Sequence, residues 1–107
     1  MFDPGEVVAI AYDGGSRIPF FEKADVFWVR YNHKSIVRRQ QILSVYPEST
    51  DDLLRQIEAN PTDVIIAKGF APKSIARLKA MNIKLYTFDG GQHAAYKAWK
   101  NGGLKEL

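Results

Sequence analysis

The spacing of hydrophobic positions changes near Pro47 and divides the chain into two patterns. Before Pro47, apolar residues form β-branched runs or alternate with polar ones, as in strands, whereas later segments also place them three or four residues apart, as in helices. The predicted strands are β1 (6–12), β2 (26–31), β3 (35–46), β4 (63–68) and β5 (83–88). The predicted helices are α1, from the cap signature at Ser49 to Asn60, α2, from Pro72 to about Asn82, and α3 (92–100).

The order of these elements, β-β-β-α-β-α-β-α, predicts how the strands pair. The turn between β2 and β3 favours an antiparallel hairpin, whereas the strand–helix alternation from β4 onward requires parallel strands with right-handed crossovers. Polar residues occur in the middle of β3 on both faces, which is typical of an edge strand. We therefore expect one α/β domain over 1–107, with a mixed five-stranded sheet in the order 3-2-1-4-5.

Glycine-bearing segments follow the three strands that this topology makes parallel: "YDGG" (12–15), "KGFAP" (68–72) and "FDGG" (88–91). The connectivity changes direction between β1 and β4, and open α/β sheets bind ligands at such a switch point, outside the carboxyl ends of the strands. The predicted ligand-binding residues are Asp13, Gly14, Gly15, Lys68, Gly69, Phe70, Ala71, Lys73, Asp89, Gly90, Gly91 and Gln92.

The start of α2 gives the most direct physical argument for a site. Pro72 suits the first helical position, which makes Ala71 the capping residue, and alanine has no side-chain acceptor for the first N–H groups. An anion or water would satisfy these groups, helped by the helix dipole and by Lys68 or Lys73, while Gly69 permits a close backbone approach. The alternative is a plain strand-to-helix turn, just as Asp13 and Asp89 either bind a ligand or only brace their own turns.

The amino-acid composition limits the chemistry that is available to a binding or catalytic site. The sequence has no cysteine, which excludes disulfides, a thiol nucleophile and a cysteine-type zinc site, and its two histidines are His33 and His93. His93, in the first turn of α3, is the candidate metal ligand, with a solvated polar residue as the alternative. The chain has no apolar run of the ~20 residues that span a membrane and no basic region ahead of its first apolar run, so we expect a cytoplasmic protein without a membrane partner.

The charge pattern leaves two interaction hypotheses open. The net charge is only +3, with a denser basic patch at Lys34, Arg38 and Arg39. Together with Trp28 and Tyr31, this patch would make a surface for nucleic acid, although a solvated hairpin with core aromatics is the favoured interpretation. In the second hypothesis, the exposed edge of β3 pairs with another protein or a second copy. We expect a monomer or a weak homodimer.

The element order and the segment "DVIIAKGFAPKSIARLKAMNIKLYTFDGGQHAAYKAW" resemble the dinitrogenase iron–molybdenum cofactor biosynthesis family, whose members are small nitrogenase accessory factor-like domains. The resemblance implies a ribonuclease H-like fold and a non-catalytic domain that binds an anionic iron–molybdenum or iron–sulfur cluster, or a precursor, and meets metallocluster assembly proteins. Relatives often carry His-Phe-Gly after the first loop, where this sequence has Phe20-Phe21-Glu22.

A ribonuclease H-like fold suggests nuclease activity as an alternative function. Two-metal hydrolysis of a phosphodiester needs several carboxylates within about 4 Å of two metal ions. Asp13 lies at the carboxyl end of β1, but the end of β4 carries Lys68 and Gly69, where an acid is needed, and Asp63 lies at the opposite end of β4. Asp89 follows β5, one strand further away. We therefore expect no nuclease activity and no other enzymatic activity.

Overall fold

The computed structural model describes the backbone of residues 6–33 and 36–107, and their side chains except those of residue 33 and residues 36–39. The strands are β1 (Glu6–Tyr12), β2 (Val26–His33), β3 (Ile36–Ser44), β4 (Val64–Ala67) and β5 (Lys84–Thr87). The helices are α1 (Thr50–Ala59), α2 (Pro72–Ala80) and α3 (Gln92–Lys100), with a short 3₁₀ turn at Phe21–Lys23 inside the predicted β1–β2 loop.

All five strands join one sheet in the order β3-β2-β1-β4-β5, which confirms the predicted topology. β2 pairs antiparallel with β1 and β3, whereas β4 pairs in parallel with β1 and β5. In the register, Ile10 lies between Trp28 on β2 and Ile66 on β4. β3 is the terminal strand, as its mixed pattern predicted.

Helices cover the two faces of the sheet unequally. α1 and α2 share one face, above a cluster that includes Phe27, Leu54 and Leu85. α3 packs against β1 on the other face, with Ile10 and Ile66 beneath it. On the same face, Ile42 of the edge strand β3 is 59% exposed.

The periodicity of the sequence also predicts a core of ten residues: Val8, Ile10, Leu54, Ile57, Val64, Ile66, Ile75, Leu78, Leu85 and Trp99. Eight of the ten residues expected in it are buried, namely Val8, Ile10, Leu54, Ile57, Val64, Ile66, Leu78 and Leu85. Ile75 and Trp99 are instead half-buried and pack at the margins of the two clusters. Both lie on helices that pack on the sheet with one face only. Periodicity identifies that face of the helix but does not show which of its residues lie at the margin of the contact.

Local signals set the helix ends. At the start of α1, the Ser49 hydroxyl accepts a hydrogen bond from the Asp52 N–H at 3.1 Å, which confirms the predicted cap. After α2, Asn82 adopts a positive φ of 62°, and the chain turns directly into β5. Across the part of the chain that the structure describes, no helix has the length and apolarity that a membrane crossing requires.

Candidate ligand site at the carboxyl edge of the sheet

The three loops predicted to converge are joined by the connection between β1 and β2. At one end, the Ile18 N–H donates to the Gly90 carbonyl in the β5–α3 loop at 2.7 Å. At the other, the Lys68 N–H donates to the Pro19 carbonyl at 2.8 Å, and the Phe21 N–H donates to the Gly69 carbonyl at 2.9 Å. Residues 18–21 therefore tie the β4–α2 and β5–α3 loops into one continuous surface.

Phe20 lies directly on the glycine of the β4–α2 loop. A Cβ atom at position 69 would lie 2.6 Å from Phe20 Cε1, so Gly69 is needed for this contact. Phe20 is 48% exposed, and the Lys68 amino nitrogen lies 5.5 Å from the centroid of its ring. The next residue, Phe70, turns inward and stacks on Phe21 with ring centroids 5.5 Å apart. The sequence predicted that Gly69 lets a ligand approach the backbone. In the structure, the group next to Gly69 is the Phe20 ring of the same chain.

The start of α2 already has a carboxylate next to it. Ala71 is the capping residue and supplies no side-chain acceptor, as predicted. However, its own N–H donates to Glu22 Oε2 at 3.0 Å, so the expectation that these amides lack a partner is wrong for this one. Sequence reasoning missed Glu22 because it is 49 residues away along the chain. Its negative charge also interacts favourably with the positive end of the helix dipole.

The two aspartates that follow β1 and β5 both have partners nearby. Asp13 Oδ1 accepts the Gly15 N–H at 2.9 Å, in a turn where Gly14 takes the positive φ of 91° that favours glycine. Asp89 Oδ1 accepts from Arg17 Nε at 3.2 Å and Nη2 at 3.0 Å. Asp13 thus holds its own turn, in agreement with the bracing alternative, whereas Asp89 pairs with an arginine of the β1–β2 connection.

Lys73 points to a neighbouring helix. Its amino group forms an ion pair with Asp51 Oδ1 of α1 at 2.8 Å. The hydrogen bond and charge of Lys73 hold the pKa of Asp51 below its usual value. Both side chains are exposed, so the pair contributes little to stability. Of the two lysines predicted to attract an anion, Lys68 thus keeps its amino group beside the loop, whereas Lys73 is directed towards α1.

The start of α3 lies against the β1–β2 connection. Gly91 caps the helix, and a Cβ atom there would lie 3.3 Å from the Ser16 carbonyl oxygen. Gln92 Oε1 is buried and has no hydrogen-bond partner among the described residues. His93 Nδ1 lies 3.5 Å from Arg30 Nη2, a contact that disfavours a metal cation because the guanidinium is itself positive. Among the described residues, no group of three or more His, Asp or Glu side chains is arranged to hold a metal ion.

A polar seam between β2 and α3 was not predicted. Arg30 is only 4% exposed, and its guanidinium carbon lies 4.3 Å from the centroid of the Tyr96 ring. The Tyr96 hydroxyl donates to Asn32 Oδ1 at 2.6 Å. Burial lowers the pKa of Arg30, and burial also raises the pKa of Tyr96 against the opposing effect of the arginine charge. The sequence signal that could have indicated this seam was an arginine in the middle of a strand, because a charged residue is rarely buried in the interior of a protein.

Trp28 and Tyr31 lie on opposite faces of the sheet, Trp28 with the α3 cluster and Tyr31 with the α1–α2 cluster. They therefore cannot form the single stacking surface that the nucleic-acid hypothesis requires. The basic residues of that hypothesis, Lys34, Arg38 and Arg39, lie outside the described side chains, as does His33.

Comparison with known proteins gives structural neighbours only. The chain matches no protein-family model and no curated protein sequence. A Methanocaldococcus jannaschii protein whose name links it to dinitrogenase aligns over 100% of this chain and 97% of its own, with a TM-score of 0.74 and 17% identity. The apo form of the orange protein from Desulfovibrio gigas aligns over 99% and 96%, with a TM-score of 0.77 and 14% identity. The chain has the fold of these proteins.

A third neighbour comes from Thermotoga, belongs to the DUF35 family and is named for NifB. It aligns over 95% of this chain and 93% of its own, with a TM-score of 0.75 and 21% identity. The nitrogenase theme of the sequence resemblance therefore recurs among the structural neighbours at the level of fold. At these identities the likeness concerns the fold alone.

Proposed function

We propose that this domain is a non-catalytic carrier that binds a small anion or an anionic metallocluster at the carboxyl edge of β1, β4 and β5. The observation that carries the proposal is the tie between the loops through residues 18–21. It holds the Lys68 amino group and the first turn of α2 on one surface, where positive charge and the helix dipole attract an anion. The glycine loops 13–15 and 89–91 flank this surface.

Lys68 is the central cation of the proposed site. Arg17 is paired with Asp89 and Lys73 with Asp51, so part of their charge is already compensated. The Lys68 side chain instead lies beside the exposed ring of Phe20. An anion at the start of α2 would meet this amino group together with the N–H groups of Lys73 and Ser74, which follow the capping residue.

Glu22 sets the strength of binding in this proposal. Its carboxylate accepts the Ala71 N–H and takes the position that a bound anion would favour. An incoming anion must displace the carboxylate or bind beside it against charge repulsion. Glu22 therefore weakens binding of anions and favours those with several acceptor atoms, which can replace the carboxylate at the Ala71 N–H.

A cluster would be carried by charge and hydrogen bonds rather than by direct coordination. Iron–sulfur and iron–molybdenum clusters prefer thiolate or imidazole ligands. The sequence has no cysteine, Phe20 stands where relatives often carry histidine, and His93 faces Arg30. The residues present do not fit a coordinated resident cluster, so in this proposal a cluster is cargo, and assembly proteins deliver and remove it.

The test is a titration of ¹⁵N-labelled protein with sodium phosphate and with tetrathiomolybdate, against sodium chloride at equal ionic strength. We expect both anions to shift the amide signals of residues 13–15, 69–74 and 89–93 first. Lys68→Gln should weaken binding about two- to fivefold, because an exposed ion pair is worth up to about 1 kcal/mol. Glu22→Gln should strengthen it by a similar factor, because the competing charge at the helix start is removed.

Lys84→Gln is the matched control, because Lys84 is an exposed lysine at the opposite edge of the sheet. It removes the same charge from the chain without touching the loops. If Lys84→Gln weakens binding as much as Lys68→Gln, the anions respond to net charge and the site is wrong. Largest shifts in the β2–β3 hairpin would also contradict the proposal.

A further inference from the structure

A second concave surface lies beside the uncovered part of the sheet. α3 packs on β1 and reaches Arg30 and Asn32 of β2, whereas Ile42 of β3 on the same face stays exposed. Where β1 ends, this open face becomes a cavity of about 270 Å³ lined by Tyr12, Asp13, Asp25, Val26, Ile42 and Tyr46, among others. The cavity shares Asp13 and Gly14 with the loop that flanks the anion site, but neither Lys68 nor the start of α2 is among its lining residues.

The cavity combines aromatic and apolar surface. Tyr12 packs edge-on against Trp28, with ring centroids 5.9 Å apart, which holds one tyrosine in place. Tyr46 is 67% exposed, and Ile42 is exposed as well. Val26 belongs to the buried part of β2. An exposed isoleucine and an exposed tyrosine that line the same cavity form an apolar patch that water covers poorly.

The backbone holds Tyr46 in an uncommon conformation. Its φ is 32°, in the left-handed region that residues other than glycine rarely adopt. The Asp25 carbonyl accepts both the Val45 N–H at 3.1 Å and the Tyr46 N–H at 2.9 Å. These two hydrogen bonds connect the end of β3 to the start of β2 and fix the backbone position of Tyr46.

Two of the residues that line the cavity, Asp13 and Asp25, are acidic. Asp13 uses one oxygen for the Gly15 N–H, which leaves the other oxygen available. The Asp25 carboxylate has no ion pair or hydrogen bond within the described part of the structure. The cavity is thus locally negative on a chain whose net charge is +3. Its charge complements a basic group.

We propose that this cavity receives an arginine side chain from a partner protein. Its volume is below the roughly 300–1,000 Å³ of small-molecule sites, so one side chain fits it better than a cofactor. A guanidinium stacks on tyrosine rings and forms paired hydrogen bonds with carboxylates, while its aliphatic stem packs on Val26 and Ile42. Lysine lacks the planar group that suits both the rings and the carboxylates.

The test uses N-acetyl-arginine amide as the probe and N-acetyl-citrulline amide, its neutral isostere, as the ligand control. We expect the arginine compound to shift the amide signals of residues 13–15, 25–26 and 42–46 in ¹⁵N-labelled protein, and the citrulline compound to leave them unchanged. Asp25→Asn should weaken binding about two- to fivefold, as for loss of an exposed ion pair. Tyr46→Asn should weaken it as well, since asparagine tolerates the left-handed backbone but has no ring.

Glu58→Gln is the matched protein control, because Glu58 is an exposed carboxylate on α1, away from the cavity. It should bind the arginine compound like the unchanged protein. Equal shifts with citrulline, or equal weakening in Glu58→Gln and Asp25→Asn, would overturn the proposal. Sedimentation should show a monomer, whereas a dimer that Asp25→Asn dissociates would make a second copy the occupant and overturn the assignment to another protein.

Discussion

The Arg30 guanidinium carbon lies 4.3 Å from the centroid of the Tyr96 ring, so a buried positive charge of β2 rests on an aromatic face of α3. The Tyr96 hydroxyl also donates a hydrogen bond to Asn32 Oδ1 of β2. No carboxylate contacts Arg30 among the described residues, and its Nε has no hydrogen-bond partner there. Among the described residues, α3 is therefore attached to β2 by this ring contact and by hydrogen bonds to Asn32 and between Arg30 and His93, in place of an ion pair.

Arg30 should contribute more through packing than through charge. Replacing a buried charged group with an apolar one of similar volume is often neutral or stabilising by about 1–4 kcal/mol, whereas truncation leaves a cavity. We expect Arg30→Met to unfold at the same urea concentration as the unchanged protein or a higher one, and Arg30→Ala at a lower one. A large loss of stability in Arg30→Met would show that the guanidinium itself stabilises the fold.

Ionisation of Tyr96 should destabilise the protein in alkaline solution. Burial raises the pKa of Tyr96 above its usual value of 10.0, although the Arg30 charge opposes the shift. Because the folded state holds the phenolic proton more tightly, the stabilisation is complete below about pH 10 and is lost as the pH rises through the raised pKa. Urea unfolding between pH 9 and pH 12 should show this decline, which Tyr96→Phe should reduce. Identical pH profiles for the two proteins would contradict the linkage.

Gly69 and Phe20 should be coupled energetically. A methyl group at position 69 would meet the Phe20 ring at 2.6 Å, so Gly69→Ala must displace the ring. We expect a cost of about 1–3 kcal/mol, as for other overpacked contacts, and a smaller cost when Phe20 is also changed to Ala. Urea unfolding of the four proteins in this double-mutant cycle measures the coupling. Additive effects would mean that the ring moves aside without cost.

Truncation of two strand isoleucines, Ile66 and Ile42, should change the free energy of unfolding by different amounts because their burial differs. Ile66 is completely buried between β1 and β5, whereas Ile42 is more than half exposed on the edge strand. Ile66→Ala should cost about 2–5 kcal/mol because it leaves a cavity in the core. Ile42→Ala should change the free energy of unfolding by about 0.5 kcal/mol or less, as is usual for surface substitutions. Chemical denaturation checks both, and similar losses would show that the face of β3 is covered.

Local patterns in the sequence were sufficient for the elements and their order. The β-branched run at 64–67 and the apolar spacing of α1 depend only on the geometry of a strand and a helix, so they can be read without knowing what lies opposite. The strand order followed because crossovers have a fixed hand and hairpins pair neighbouring strands. The convergence of the three glycine loops then followed from the topology.

Only the tertiary structure decided which groups meet at the carboxyl edge and on the α3 face. Glu22 reaches the amide of Ala71 from 49 residues away, and Arg30 lies beside His93, 63 residues further along the chain. Phe20 covers Gly69 because the β1–β2 connection crosses the edge of the sheet, a path that its composition does not specify. Such contacts depend on packing between distant segments. The sequence therefore determined which loops come together, but the partner of each charged or aromatic side chain was settled by the packing of the folded chain.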